Sequence, residues 1–266
     1  MEPNLRAFAV ITDPLFFAVA IPAVLIVGIS KGGLGGGLGM LAVPLMSMAI
    51  SPFQAAAIML PILIVMDMVS LWGFRGRYDR DNLLIIVPAA IVGIVIAALT
   101  FRYLSEADIK LLIGSIAILF SANFFYKRLR HGTQPPRPAS LVRGSLWGAL
   151  AGFTSFSVHA GGPPLNIYLL PQKLEKTLFA GTTVIFYAVI NLVKVLPYLM
   201  LGQFTSANLT TSLALVALAP IGVYIGIWLH HRINEQRFYL LCYLLLLLTG
   251  CKLSLEALQE FLHWSA

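Results

Sequence analysis

The chain has 266 residues, of which 59% are hydrophobic and only 11% are charged, and its formal net charge is +7. A soluble domain carries roughly 25% charged residues, so this composition excludes a water-soluble globular protein and indicates a membrane protein. The apolar segments are continuous, which excludes the alternating strands of a β-barrel, and the positive charges lie in short loops between them, which argues for membrane topology and against nucleic-acid binding.

The first half of the chain is predicted to form a broken, re-entrant helical hairpin followed by three transmembrane helices. Residues 14–30 are expected to remain as a helix, because Asp13 and Pro14 interrupt the apolar run that a signal peptide would need. Residues 38–50 make about 20 Å of helix, which is shorter than the roughly 30 Å hydrocarbon core. This unit covers residues 1–126, with the hairpin at 13–50 and the spans at 53–74, 83–101 and 108–126.

A polar linker, residues 127–143, joins the two halves. It contains three prolines and five lysines or arginines, and short basic loops of this kind lie in the cytoplasm. The second half repeats the order of elements of the first half. It covers residues 144–266, with the hairpin at 144–171 and the spans at 176–200, 206–229 and 237–255.

The two halves are predicted to be inverted repeats in an all-α polytopic fold. At an offset near 124, Gly28 aligns with Gly152, Ser30 with Thr154, and Asp67 with Asn191. A re-entrant hairpin and three spans give each half an odd number of crossings, so the second half is inverted and both chain ends lie outside. The positive-inside rule supports this orientation. The basic loops 75–81, 171–177 and 230–237 then lie inside, and the nearly uncharged loops 102–107 and 200–207 lie outside.

The first glycine-rich break spans residues 28–39, where seven of twelve residues are glycine. Such a sequence does not sustain a stable helix, and non-helical backbone at membrane depth offers free N–H groups that bind small ions. The alternative is close helix packing through pairs such as Gly32 and Gly36. Lys31, within the break, is predicted either to face an anionic substrate or to extend towards the membrane interface.

The second break, residues 152–164, combines three hydroxyl groups with His159. Hydroxyl groups donate to anion oxygens, and a histidine can bind an anion when protonated, transfer a proton, or serve as a structural hydrogen-bond partner. The predicted substrate-binding residues of both breaks and of the short helix that follows are Ser30, Lys31, Gly32, Gly33, Gly36, Thr154, Ser155, Ser157, His159, Gly161, Gly162 and Asn166.

Three polar residues inside the predicted spans are candidates for coupling or gating. Asp67 and Asn191 match across the repeat, and an intramembrane aspartate is a functional candidate because a charge there is costly. Asp67 is expected either to hold a coupling proton or to pair with Lys31 or Lys194. Lys194 follows Asn191 by three residues and lies on about the same helix face.

At these residues the chain resembles the TauE/SafE sulfite exporter family. The resemblance covers about residues 12–255 and rests on the two breaks, GISKGGLGGGLGMLAVPL and GALAGFTSFSVHAGGPPLNIYLL, with further similarity in SPFQAAAIMLP and FAGTTVIFYAVINLVK. It implies transport of a small sulfur-containing anion such as sulfite, sulfoacetate or thiosulfate, usually outward. The expected location is the bacterial inner membrane.

Sequence and resemblance together predict a secondary transporter that exports its anion by alternating access between the halves. An inside-negative potential favours anion export by about 2.3 kcal/mol per charge per 100 mV, so a uniporter suffices and a proton is an optional coupling ion. An intramembrane enzyme that pairs Ser30 or Ser155 with His159 is one alternative, and an anion channel is another. We expect no catalytic residue, metal or cofactor. The sequence leaves open the exact anion, the transport direction, the coupling ion, the oligomeric state and whether the hairpins cross the membrane fully.

Overall fold

The structure is a computed structural model, and it describes residues 11, 13–36, 39, 42–46, 48–100, 105–131 and 135–264. These residues form helices and loops and contain no strand. The helices are α1 (Pro14–Gly33), α2 (Ala42–Met46), α3 (Pro52–Gly73), α4 (Arg80–Thr100), α5 (Glu106–His131), α6 (Leu141–Val158), α7 (Gly162–Leu169), α8 (Lys176–Met200), α9 (Ser206–Leu215), α10 (Leu218–Arg232) and α11 (Glu235–Trp264), with one 3₁₀ turn at Leu170–Gln172.

Several helices begin where a polar side chain satisfies the free N–H groups of the first turn. At the start of α1, an Asp13 carboxylate oxygen accepts a hydrogen bond from the Leu15 N–H at 2.9 Å. At the start of α8, the Glu175 carboxylate accepts hydrogen bonds from the N–H groups of Thr177 and Leu178 at 3.0 and 3.1 Å. Such caps stabilise a helix by about 1 kcal/mol, so local sequence fixes where these helices begin.

Within the described part of the chain, five helical segments are long and apolar enough to cross a membrane, and α9 with α10 forms a sixth candidate that is bent by 44°. The five are Pro14–Gly33, Gln54–Gly73, Arg80–Thr100, Lys176–Met200 and Leu240–Glu260. Large apolar side chains such as Leu99, Leu196 and Leu213 are exposed on the outer helix faces, as expected where lipid replaces water. The predicted all-α polytopic membrane fold is confirmed.

The bend between α9 and α10 differs from the single helix predicted over 206–229. The Ala219 N–H donates to the Val216 carbonyl at 3.0 Å, in a tighter turn than an α-helix makes. Pro220 explains the interruption, because proline has no N–H to donate and its ring clashes with the carbonyl four residues earlier, here that of Val216.

Helix α1 continues through the first half of the predicted glycine break, as far as Gly33. A Cβ atom added to Gly28 would lie 2.9 Å from the Gly222 Cα, and Gly32 and Gly33 also face the backbone of α10. These glycines are therefore helical and allow two helices to approach closely. The break begins at Leu34 instead of residue 28, and positions 37, 38, 40 and 41 lie outside the described residues.

The helix contacts between the two halves are symmetric. If each helix is replaced by its counterpart in the other half, the same pairs of helices are in contact. Helix α1 packs against α10, and α4 packs against α6. If the bent pair α9 and α10 counts as one element, the first helix of each half therefore lies on the fourth element of the other half. Two further pairs, α3 with α8 and α5 with α11, join corresponding helices. Of the span candidates, α3 and α8 are the most buried, so they form the centre of the molecule.

Candidate functional site

The two breaks end their preceding helices with the same backbone geometry. The Gly36 N–H donates to the Ser30 carbonyl at 3.1 Å, and the Ala160 N–H donates to the Thr154 carbonyl at 3.0 Å. The residue before each donor has a left-handed conformation, with φ 68° at Gly35 and φ 52° at His159. Ser30 and Thr154 are 124 residues apart in the sequence, as are Gly36 and Ala160, and this separation is the repeat offset. The breaks therefore match in conformation as well as in sequence order.

The first polar cluster joins Lys31, at the end of α1, to α3 and α8. The Lys31 ammonium forms an ion pair with Asp67, and both side chains are buried, with 5% and 4% exposure. The other Asp67 carboxylate oxygen accepts a hydrogen bond from the Asn191 amide at 2.6 Å. Lys31 also lies 5.3 Å from the centre of the Tyr187 ring. Of the alternatives predicted for these residues, the Lys31–Asp67 pair is the one that the structure contains.

The second polar cluster surrounds Lys194 on α8. Its ammonium donates to the Ser155 carbonyl at 3.2 Å, to the Ser155 hydroxyl at 3.1 Å and to His159 Nδ1 at 3.0 Å. Three acceptors match the three N–H donors of a lysine. The other ring nitrogen of His159 lies 3.1 Å from the Ala56 carbonyl on α3. Residues of the second break thus hold Lys194 and reach across to the first half.

The hydrogen bonds of His159 define its tautomer. A carbonyl can only accept, so Nε2 must donate its hydrogen to Ala56. Nδ1 then accepts from Lys194, and the ring is neutral in this arrangement. A hydrogen on both ring nitrogens would direct an N–H at the Lys194 ammonium.

The hydroxyl groups of the second break differ in what they contact. Thr154 donates to the carbonyls of Leu150 and Ala160, and Ser157 donates to the carbonyl of Phe153, which are bonds within or just beyond their own helix. The Ser155 hydroxyl instead accepts from Lys194, and we find no acceptor for its hydrogen among the described residues. It is therefore the hydroxyl of this break that can donate to a ligand.

The other predicted site residues are only partly brought together. Gly32 and Gly33 face α10, away from both clusters. Gly36 lies against the Tyr187 ring, since an added Cβ atom would be 2.5 Å from a ring carbon. Asn166, on α7, is buried and its side-chain oxygen has no hydrogen-bond partner among the described residues. Ser30 is fully buried, and Gly161 and Gly162 form the tight start of α7.

Tyr187 is a site residue that the sequence reasoning missed. It is buried, lies over Lys31, and its hydroxyl has no partner among the described residues. Tyr187, Asn191 and Lys194 follow the spacing i, i+4, i+7, which places all three on one helix face. That spacing is the signal that could have identified the tyrosine.

The comparisons with known proteins agree with the resemblance seen in the sequence. The family model described as "Sulfite exporter TauE/SafE" matches residues 20–253, a region that includes both breaks and both polar clusters. No curated protein and no solved structure was found to match. Among the described residues, no group of three or more His, Cys, Asp or Glu side chains could hold a metal ion.

Proposed function

The chain belongs to the TauE/SafE sulfite exporter family, and from this premise we propose that it exports a small sulfur-containing anion by alternating access. The family consists of membrane transporters for sulfite and related anions, which argues for transport and against catalysis. The anion is proposed to bind near the membrane midplane, where the two breaks meet α3 and α8.

The observation that supports this proposal is a fully buried lysine, Lys194, without an acidic hydrogen-bond partner among the described residues. The charge of Lys31 is balanced by Asp67, whereas Lys194 is hydrogen-bonded to Ser155 and His159, of which neither is acidic. Lys194 is fully buried and lies within electrostatic range of the Lys31–Asp67 pair. A buried unbalanced charge is costly, and an anion that binds beside Lys194 would remove much of this cost.

Alternating access is supported by the way the halves face each other. Asp67 meets Asn191 on α3 and α8, and Lys110 meets Glu260 while Ala117 meets Gly250 on α5 and α11. Corresponding helices in the second pair run antiparallel, as inverted repeats require. Among the described residues, two hydrogen bonds of the clusters cross between the halves, Asn191 to Asp67 and His159 to Ala56. Rocking of the halves would break and reform these two bonds.

Export needs no coupling ion in this proposal. In a bacterial inner membrane with residues 127–143 inside, the inside-negative potential drives an anion outward by about 2.3 kcal/mol per charge per 100 mV. The polar, proline-rich composition of this linker supports that orientation. A proton remains an optional partner, with His159 or Asp67 as its carrier.

The geometry of His159 does not favour an intramembrane enzyme. A general base needs a free ring nitrogen within hydrogen-bond reach of the nucleophile. Both ring nitrogens are occupied, one by Lys194 and the other by the Ala56 carbonyl. The Ser155 hydroxyl is hydrogen-bonded to Lys194 and not to the His159 ring.

The test is flux of labelled sulfite in vesicles that contain the purified protein, with and without a pH gradient. We expect saturable flux and counterflow, which a channel does not give. Lys194→Gln should reduce the flux by at least about tenfold, the factor that corresponds to 1.4 kcal/mol. Lys252→Gln is the matched control, because Lys252 is partly exposed and pairs with Glu256 on its own helix. Wild-type vesicles without sulfite flux, or equal flux from both variants, would refute the proposal.

A further inference from the structure

We infer that the transported species carries a single negative charge, because the buried site has one positive charge in excess. This charge selectivity presupposes the anion transport proposed above. It divides the candidate substrates into two chemical classes. Hydrogen sulfite and organic monosulfonates belong to the favoured class, and the sulfite dianion, thiosulfate and sulfoacetate belong to the disfavoured class.

The first step is the neutrality of the Lys31 cluster. Asp67 accepts hydrogen bonds from Lys31 and from Asn191, one on each carboxylate oxygen, so both oxygens are occupied by donors. An ionised carboxylate can only accept, which matches the presence of a donor at each of its two oxygens. Lys31 has a further weak contact to the Leu63 carbonyl at 3.4 Å. The pair is therefore an ammonium and a carboxylate whose charges cancel.

The second step is the positive charge of the Lys194 cluster. Its three acceptors are the carbonyl and hydroxyl of Ser155 and Nδ1 of a neutral His159. None of these groups carries a negative charge. In the described part of the chain, the ionisable side chains in contact with either cluster are Lys31, Asp67, His159, Lys194 and Tyr187. The sum of their charges in this arrangement is one positive charge.

The third step is the free-energy cost of a net charge at a site that is buried from water. Helices α3 and α8 are central and buried, so water does not screen the site as it does at a protein surface. A monovalent anion beside Lys194 makes the occupied site neutral. A divalent anion leaves one negative charge without a partner, and an unpaired buried charge costs several kcal/mol.

The contacts available to the anion are those of the Lys194 cluster. An anion oxygen can replace the Ser155 hydroxyl oxygen as an acceptor of Lys194, and the same hydroxyl can then rotate and donate its hydrogen to the anion. A sulfonate and hydrogen sulfite both offer oxygens for these two donors. The recognition therefore depends on charge and oxygen geometry, and it tolerates different groups on the sulfur.

The experiment compares two sulfonates of similar size in vesicles that contain the full chain. Ethanesulfonate is monovalent, and sulfoacetate is divalent because a carboxylate replaces its methyl group. In the wild type, ethanesulfonate should inhibit labelled sulfite flux at a concentration at least about tenfold lower than sulfoacetate. This comparison needs no variant, so it does not depend on the folding of any mutant.

Asp67→Asn then changes the charge of the site while it preserves the size and one acceptor of the side chain. The site would hold two excess positive charges, and the inhibition ratio should shift by at least about tenfold towards sulfoacetate. Asn191→Leu is the matched control, because it removes the hydrogen bond to Asp67 without a change in charge. In this control the ratio should stay as in the wild type.

The outcomes separate the two proposals. Sulfite flux with equal inhibition by both sulfonates, or a ratio that Asp67→Asn does not move, would overturn the single-charge inference and leave the transporter proposal intact. Absence of sulfite flux in the wild type would overturn the transporter proposal, and the charge inference with it.

Discussion

The left-handed backbone of His159, with φ 52°, restricts which residues can replace it. Histidine and asparagine tolerate this conformation, whereas a β-branched residue is strained there. We expect His159→Thr to be less stable than His159→Asn by about 1–3 kcal/mol. Both variants lose the ring contacts with Lys194 and Ala56, so their difference reports the backbone. Unfolding in detergent measures it, and equal stability would show that the backbone relaxes.

The buried Lys31–Asp67 pair predicts a non-additive pair of substitutions. Lys31→Met leaves Asp67 as an unpaired buried charge, which should cost about 3–5 kcal/mol of unfolding free energy. The double variant Lys31→Met/Asp67→Leu removes both charges with side chains of similar volume and should recover most of that loss. A double-mutant cycle in detergent checks this, and additive losses would contradict the pairing.

Sequence reasoning could identify these residues but could choose only some of their partners. The repeat offset aligned Asp67 with Asn191, and the structure places them in direct contact. Pairing of Asp67 with Lys31 was one of several options, because a sequence does not give distances. The contact of Lys194 with His159 could not be predicted from the sequence, because it depends on the left-handed backbone conformation of His159 at the end of α6.

At the scale of the elements, the crossing of α1 and α10 depends on glycine. The three atoms nearest to an added Cβ atom at Gly28 would be backbone atoms of α10, between 2.9 and 3.2 Å away. Backbone cannot rotate aside, so Gly28→Ala should destabilise the protein by about 1–3 kcal/mol despite the better helix propensity of alanine. Gly39→Ala is the control, because nothing lies within 4 Å of an added Cβ atom there. The midpoint of thermal unfolding compares the two variants, and equal midpoints would count against close packing.

The glycine-rich segment also shows why sequence alone misplaced an element boundary. Glycine density predicts a break from residue 28, because isolated glycines weaken a helix. In the structure, α10 packs on this part of α1 and keeps it helical as far as Gly33. Tertiary packing thus overrides local propensity for the first glycines, and the chain leaves the helix only at Gly35 and Gly36, where φ is positive.

At the scale of the whole molecule, the proposed inversion of the halves predicts the sidedness of two loops. Ala139, in the linker, and Ser206, at the start of α9, are separated by one full span, α8, if the hairpin of the second half is re-entrant. In a background without Cys242 and Cys251, Ala139→Cys should react with an impermeant thiol reagent only from the cytoplasmic side. Ser206→Cys should react only from the opposite side. Labelling of both from one side would refute the inverted arrangement.

The close contacts at glycine also determine how one half can move relative to the other. Where α1 meets α10 and α4 meets α6, backbone lies against backbone at Gly28, Gly93 and Gly152. Where glycine leaves a helix face without a side chain, no side chain has to leave a groove of the partner helix when the two helices slide along each other. Separation of the same faces loses every contact at once. These seams therefore resist opening and yield to shear, so in the proposed alternating access the halves would rock by sliding along these seams, without separating at them.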